Sequence, residues 1–107
     1  MIPLRLAELA DALGGSLVLP HRVTPERFVT GSVQTNSTLV EPGSIFFALP
    51  GEVTDGHLFA ADAVDRGAAL VVAERPLDLP IPVLIVPDGV VALAGLARLV
   101  GARVRAT

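Results

Sequence analysis

The sequence contains no cysteine and no lysine, and its only aromatic residues are four phenylalanines, Phe28, Phe46, Phe47 and Phe59. Without cysteine, neither a disulfide framework nor a thiolate zinc site can form, which fits a reducing cytoplasm. Without lysine, the phosphate-loop lysine, the Schiff-base lysine and the Ser-Lys dyad are excluded together. Long apolar runs are missing as well: Pro, Asp and Gly interrupt every stretch before it approaches the roughly 20 residues of a spanning helix. The opening segment brings Arg5 and Glu8 into its first apolar stretch and has no signal-peptide core. A cytoplasmic location and no membrane partner are expected.

Basic charge is sparse. All eight basic residues are arginines, scattered from Arg5 to Arg105 against eleven acidic residues, for a net charge of −3. No basic stripe is available to neutralise a phosphate backbone, so nucleic acid is excluded as a partner. What the sequence does hold is aliphatic: 51% of its residues are hydrophobic, most of them Ala, Val and Leu. A chain of 107 residues suits one domain with one core.

Leu4, Leu6, Leu9, Ala10 and Leu13 recur near helical spacing, with Gly14-Gly15 as a stop, and predict a helix over about 4–13. Ser16 to Leu19, bounded by Pro20, and the alternating Phe28 to Thr35 read as strands. Glu41-Pro42-Gly43-Ser44 is a turn leading into Ile45 to Leu49, a continuous apolar run expected to be buried on both faces. Phe59, Ala60, Ala63 and Val64 form a helical stripe ending at Gly67, and Ala69 to Ala73 is a second buried strand. Strand, helix and strand within about 30 residues make a βαβ unit with parallel strands. A strand over Val83 to Val86 follows, then a helix over about 90–103 capped by Asp88. The expected fold is a small three-layer α/β domain with a mixed, partly parallel sheet. The last helix runs almost to Thr107 with no element closing behind it, as expected of a chain that continues.

Two polar stretches flank the Ile45 to Leu49 strand. The first, Gln34-Thr35-Asn36-Ser37-Thr38, offers five consecutive hydrogen-bonding side chains. The second, Pro50 to His57, leaves the C-terminal end of a strand and opens a helix, where α/β sheets usually bind ligands and where amide N–H groups can receive a phosphate. A polar pocket for a nucleotide or sugar phosphate and a pair of ordinary solvated loops both explain this composition. His57 reads as a general base or as a helix cap, and the only other histidine, His21, lies in a separate loop. Glu52 and Asp55 read as an acid/base pair or, with Gly56, as a turn. Asn36-Ser37 suits an Asx-type turn. No nucleophile with a base partner and no metal site can be assembled, so no catalytic residues are assigned.

Taken together, Val33 to Thr38, Val40 to Glu52 and Asp55-Gly56-His57-Leu58-Phe59 resemble the N-terminal domain of the Mur ligases. The pattern there is an Asp-Ser-Arg-like triplet, then Pro-Gly-x-Leu-Phe-x-Ala-Leu-x-Gly, then Asp-Gly-His. The likeness extends through Gly67-Ala68 and Val83 to Asp88 into the last helix. The opening Met1-Ile2, Leu6 to Ala10 and Gly14-Gly15 look more like the ligase adding D-alanyl-D-alanine than the one adding the third amino acid, and both stay open.

The resemblance implies a three-domain cytoplasmic enzyme whose first domain holds the UDP part of UDP-N-acetylmuramoyl-tripeptide, with ATP and magnesium bound by a middle domain absent from this chain. ATP phosphorylates the peptide carboxylate there and the incoming amine attacks the acyl phosphate. Carried over by position, the UDP-binding residues are Thr35, Asn36 and Ser37 in the first loop and Glu52, Val53 and Thr54 in the second. Asn36 and Thr38 stand where the family usually has Asp and Arg, which reads as a neutral pair in place of a salt bridge or as loss of an arginine from diphosphate recognition. A stand-alone interaction module remains the competing reading. A small complete enzyme lacks a catalytic set.

Overall fold

A computed structural model describes residues 3–21, 23–30, 32–49 and 59–106. The elements follow as β1 (Leu4–Arg5), α1 (Leu6–Leu13), β2 (Ser16–Val18), β3 (Phe28–Val29), β4 (Val33–Gln34), a 3-10 turn (Ser37–Leu39), β5 (Ile45–Phe47), α2 (Ala60–Asp65), β6 (Leu70–Ala73), β7 (Val83–Ile85) and α3 (Gly89–Ala106). Five strands form the main sheet in the order β2-β7-β6-β5-β4. Within it β4, β5, β6 and β7 run parallel, and β2 lies antiparallel against β7. Strands β1 and β3 make a separate two-stranded ladder.

Side chains alternate across the sheet, and here both faces are apolar. Ile45 and Phe47 of β5 pack with Leu70, Val72 and Leu84 beneath Leu6 and Leu9 of α1 and Leu96 of α3. Phe46 and Ala48 turn the other way, toward Val71, Ala73 and Val83, where Ala60 and Ala63 of α2 cover them. The result is the expected three-layer α/β arrangement with a mixed sheet. Phe46 and Phe47 are both fully buried, each contributing about 1.5–3 kcal/mol by removal from water. The unit β5-α2-β6 joins parallel neighbours, with Ile45 opposite Leu70, as the βαβ reading requires.

Two expectations are corrected. Phe28 to Thr35 is not one strand: β3 pairs with β1, Val29 opposite Leu4, whereas β4 pairs with β5, Val33 opposite Ile45. The backbone of Ser32 already accepts from Ile45 N at 2.8 Å, so the chain has changed sheets before Val33. Helix α1 starts at Leu6 rather than Leu4. Leu4 is fully buried in β1, and the first amides of the helix find outside acceptors, Leu6 N on Arg27 O and Ala7 N on Pro25 O, both at 2.9 Å. Glu8 reaches back to accept from Arg5 N at 3.2 Å and completes the start of the helix.

Helix α3 extends slightly past both expected ends. Asp88 caps it as anticipated, its Oδ1 accepting from Val90 N at 2.9 Å and Val91 N at 3.1 Å. No helix among the described residues is long and apolar enough to cross a membrane.

The turn before β5 is held from across the sheet. Gly43, at φ 90°, donates its N–H to Gly67 O at 2.8 Å, and Ala69 N donates to Ser44 O at 2.8 Å. Gly67 itself has φ 97°, and a Cβ there would lie 2.9 Å from Pro42 Cα. Replacing Gly67 by Ala should therefore cost about 1–3 kcal/mol. By contrast, Gly101 lies in α3 with nothing within 4 Å of an added Cβ, and Gly101→Ala should gain about 0.4–1 kcal/mol. Urea unfolding of the two variants checks the opposite signs, and an unshifted midpoint for Gly67→Ala would sink this account of the turn.

Candidate functional site

Because β4, β5 and β6 are parallel, their C-terminal ends open at one edge of the sheet. The chain leaving β4 turns through Thr35, Asn36, Ser37 and Thr38, and these four residues line a cleft of about 600 Å³. Phe46, Leu49, Phe59 and Asp62 complete its lining. The first-loop residues Thr35, Asn36 and Ser37 are therefore brought together in one lining. The second-loop residues Glu52, Val53 and Thr54, with Asp55 and His57, lie outside the described residues. His21 sits exposed in the connection from β2 to β3, away from this lining.

The local fold of the first loop follows from Asn36. Its Oδ1 accepts from Thr38 N at 3.0 Å and from Thr38 Oγ1 at 2.7 Å, the Asx turn read from the sequence. Leu39 N on Asn36 O at 3.0 Å and Val40 N on Ser37 O at 3.2 Å wind the 3-10 turn. Asn36 and Thr38, in the places of an Asp and an Arg, thus form a neutral hydrogen-bonded pair. The winding turns Ser37 inward: it is only 5% exposed, whereas Thr35, Asn36 and Thr38 face solvent.

Ser37 meets Asp62 of α2, a residue missed in the sequence. The Ser37 side chain, lining the same cleft, is the largest influence holding the Asp62 carboxyl below its ordinary pKa. Partial desolvation opposes the shift, and Arg66 adds to it, its Nε 3.1 Å from Asp62 Oδ2 one helical turn away. Asp62 is therefore a carboxylate at neutral pH. The signal that could have found it is its place on the polar side of the Phe59 to Val64 stripe, which faces back over the first loop. Opposite the polar wall, Phe59 leaves 43% of its surface exposed and with Leu49 and Phe46 supplies an apolar floor.

The arrangement combines aromatic and aliphatic surface with a few converging polar groups, the composition of a small-molecule site. A second concavity of about 520 Å³ lies between Val33 and Leu93, Leu96 and Val100 of α3, but it has almost no polar group to orient a ligand. Among the described residues no cluster of three or more His, Asp or Glu could hold a metal ion.

Removing the Ser37 hydroxyl should raise the pKa of Asp62. A carboxyl depressed by folding stabilises the fold above its unfolded pKa, and that contribution is lost as pH falls through the folded pKa. Ser37→Ala should shrink the contribution and move the Asp62 carboxyl transition to higher pH in a carbon-detected NMR titration. An unmoved transition would show that the Ser37 side chain does not control it.

Against known proteins, residues 30–104 match the family model described as "Mur ligase family, catalytic domain". Over 89 residues the chain is 44% identical to the UDP-N-acetylmuramoyl-tripeptide--D-alanyl-D-alanine ligase of Mycobacterium leprae, covering 82% of this chain and 17% of that protein. Over 66 residues it is 50% identical to the UDP-N-acetylmuramoyl-L-alanyl-D-glutamate--2,6-diaminopimelate ligase of Geobacillus thermodenitrificans, covering 62% of this chain and 14% of that protein. A crystal structure of MurF from Acinetobacter baumannii shares the fold with a TM-score of 0.75 at 33% identity, over 90% of this chain and 20% of that one. MurF from Thermotoga maritima, solved in complex with ADP, gives a TM-score of 0.61 at 36% identity over 65% of this chain and 16% of that one. The chain thus spans about a fifth or less of the length of these relatives. A family model matched over more than half of its residues, with a fold shared at 33% identity, makes this chain a member of the Mur ligase family.

Proposed function

We propose that this chain holds the UDP part of UDP-N-acetylmuramoyl-tripeptide for an ATP-dependent peptide ligase that adds D-alanyl-D-alanine during peptidoglycan precursor synthesis. The observation that carries the reading is the cleft at the C-terminal edge of β4 and β5, where the buried Ser37 and the anionic Asp62 face an exposed Phe59. An aromatic face beside hydrogen-bonding groups suits a nucleobase and its ribose. Glu52, Val53 and Thr54, carried over from the family pattern, are proposed as the rest of the site. The cytoplasm is where such a ligase would meet its substrates. Its product would serve cell-wall biogenesis and, through it, cell shape and division.

ATP and magnesium do not fit the residues described here. The sequence has no lysine, and no described cluster of carboxylates or histidines could bind the metal. Activation of the peptide carboxylate is therefore assigned to a part of the ligase other than this chain, and no catalytic step is derived from it. A second reading, the same domain of a ligase adding the third amino acid, is favoured by the 50% identity to the Geobacillus relative. The longer match to the Mycobacterium relative, 82% of the chain against 62%, favours D-alanyl-D-alanine.

Ligand-observed NMR of the chain with UDP-N-acetylmuramoyl-tripeptide, UMP and ATP tests the proposal. The two uridine compounds should bind and ATP should not, and Ser37→Ala should weaken uridine binding by about 3- to 10-fold, the worth of one hydrogen bond. Binding of ATP without binding of either uridine compound would overturn it. Substrate consumption by the intact ligase separates the two readings, since it should incorporate D-alanyl-D-alanine and leave diaminopimelate unused.

A further inference from the structure

Where α2 meets the cleft, two residues of unlike chemistry stand one turn apart. Phe59, at φ −100° and ψ 3°, is wound nearly as the helix it precedes, so Asp62 follows it at the i,i+3 spacing that sets Cβ atoms about 5–6 Å from one another. Both side chains line the cleft. Of the two phenylalanines in the lining, Phe59 is the one that can offer a ring to a ligand, since it is 43% exposed and Phe46 only 1%. Asp62 is the one ionisable side chain of the described lining. Arg66 Nε lies 3.1 Å from its Oδ2, and the Asp62 side chain stays 42% exposed. A carboxylate accepts about four hydrogen bonds, so the pairing with Arg66 steadies the group and leaves it capacity for a ligand.

We propose that this turn reads the nucleoside in two parts, with Phe59 stacking on the base and Asp62 accepting from the ribose hydroxyls. This deepens the uridine-diphosphate reading and rests on it. An aromatic ring and a planar base attract by offset stacking, which needs no particular hydrogen-bonding edge of the base. A ribose offers two neighbouring hydroxyl donors. An ionised acceptor takes them more strongly than a neutral one, because a hydrogen bond to a charged group is roughly twice as strong. The separation of Phe59 and Asp62 suits a base and the ribose that carries it. A phosphate in the same place would have nothing to stack and would be repelled by the Asp62 charge. The phosphate end of the nucleotide is accordingly turned away from α2, and the turn favours a ribonucleoside over one stripped of its hydroxyls.

The test titrates three probes, UMP, 5,6-dihydrouridine monophosphate, whose base is no longer aromatic, and 2′,3′-dideoxyuridine monophosphate, which has lost both hydroxyls. Each is added to the wild-type chain, to Phe59→Leu and to Asp62→Ala. Wild type should bind each modified nucleotide about 5- to 10-fold more weakly than UMP, the worth of one stacked base or one charged hydrogen bond. Phe59→Leu should erase the dihydrouridine penalty to within about twofold and keep the dideoxy penalty. Asp62→Ala should do the reverse. A variant that merely loosens the cleft weakens all three probes alike and leaves both penalties in place, and that result would overturn the inference. Equal binding of the three probes by wild type would overturn it too while leaving uridine binding itself intact. If wild type binds no uridine compound at all, the functional reading falls and takes this inference with it.

Discussion

Burial of β5 and β6 on both faces is the constraint from which the rest of the domain follows. Ile45 and Phe47 point to one side while Phe46 and Ala48 point to the other, and neither side can be left to water. One face is closed by α1 and α3, the other by α2 with the 3-10 turn against it. Covering a parallel pair on both sides forces the connection between its strands to run through a helix, and the βαβ unit supplies that helix as α2. The cleft is a by-product of the same requirement, since parallel strands release their loops at a shared edge. Phe46 belongs to both, packed in the core and lining the cleft.

Much of this was legible because the signals were local and strong. The unbroken apolar runs at Ile45 to Leu49 and Ala69 to Ala73, the turn at Pro42-Gly43, the Asp88 cap and the Asx turn at Asn36 each depend on neighbours only a few residues away. The errors share a physical cause as well. Leu4 and Leu6 fit a helical stripe, yet Leu4 is drawn into β1 by Val29, a partner 25 positions along the chain. Alternation from Phe28 to Thr35 records which residues face inward but carries no information on which sheet supplies the hydrogen bonds, so one apparent strand became two. Asp62 was overlooked for a third reason. On the exposed side of a short helix a carboxylate four residues before an arginine looks like an ordinary i,i+4 pair, which it is; only the packing of α2 over the first loop brings Ser37 to it.

The first loop also clarifies what a family pattern constrains. An Asp and an Arg at the positions of Asn36 and Thr38 could brace the turn by charge. Here a neutral pair braces it, with the side-chain oxygen of Asn36 taking both the amide and the hydroxyl of Thr38. The neutral pair winds the turn and leaves Ser37 aimed inward. Thr38 adds no charge to the rim, and Asp62 and its partner Arg66 are charged groups beside the described wall.

The contact of Gly67 with Pro42 lies at the opposite end of the strands from the cleft. There the two turns entering β5 and β6 are pressed together and exchange backbone hydrogen bonds, so strand register is set before either chain reaches the loops that carry polar groups. Mutational freedom is thereby divided along the sheet. The entry side has no room for a Cβ at Gly67, whereas the exit side is braced locally by Asn36 and Thr38, outside the strands, so a change there need not disturb how the strands align.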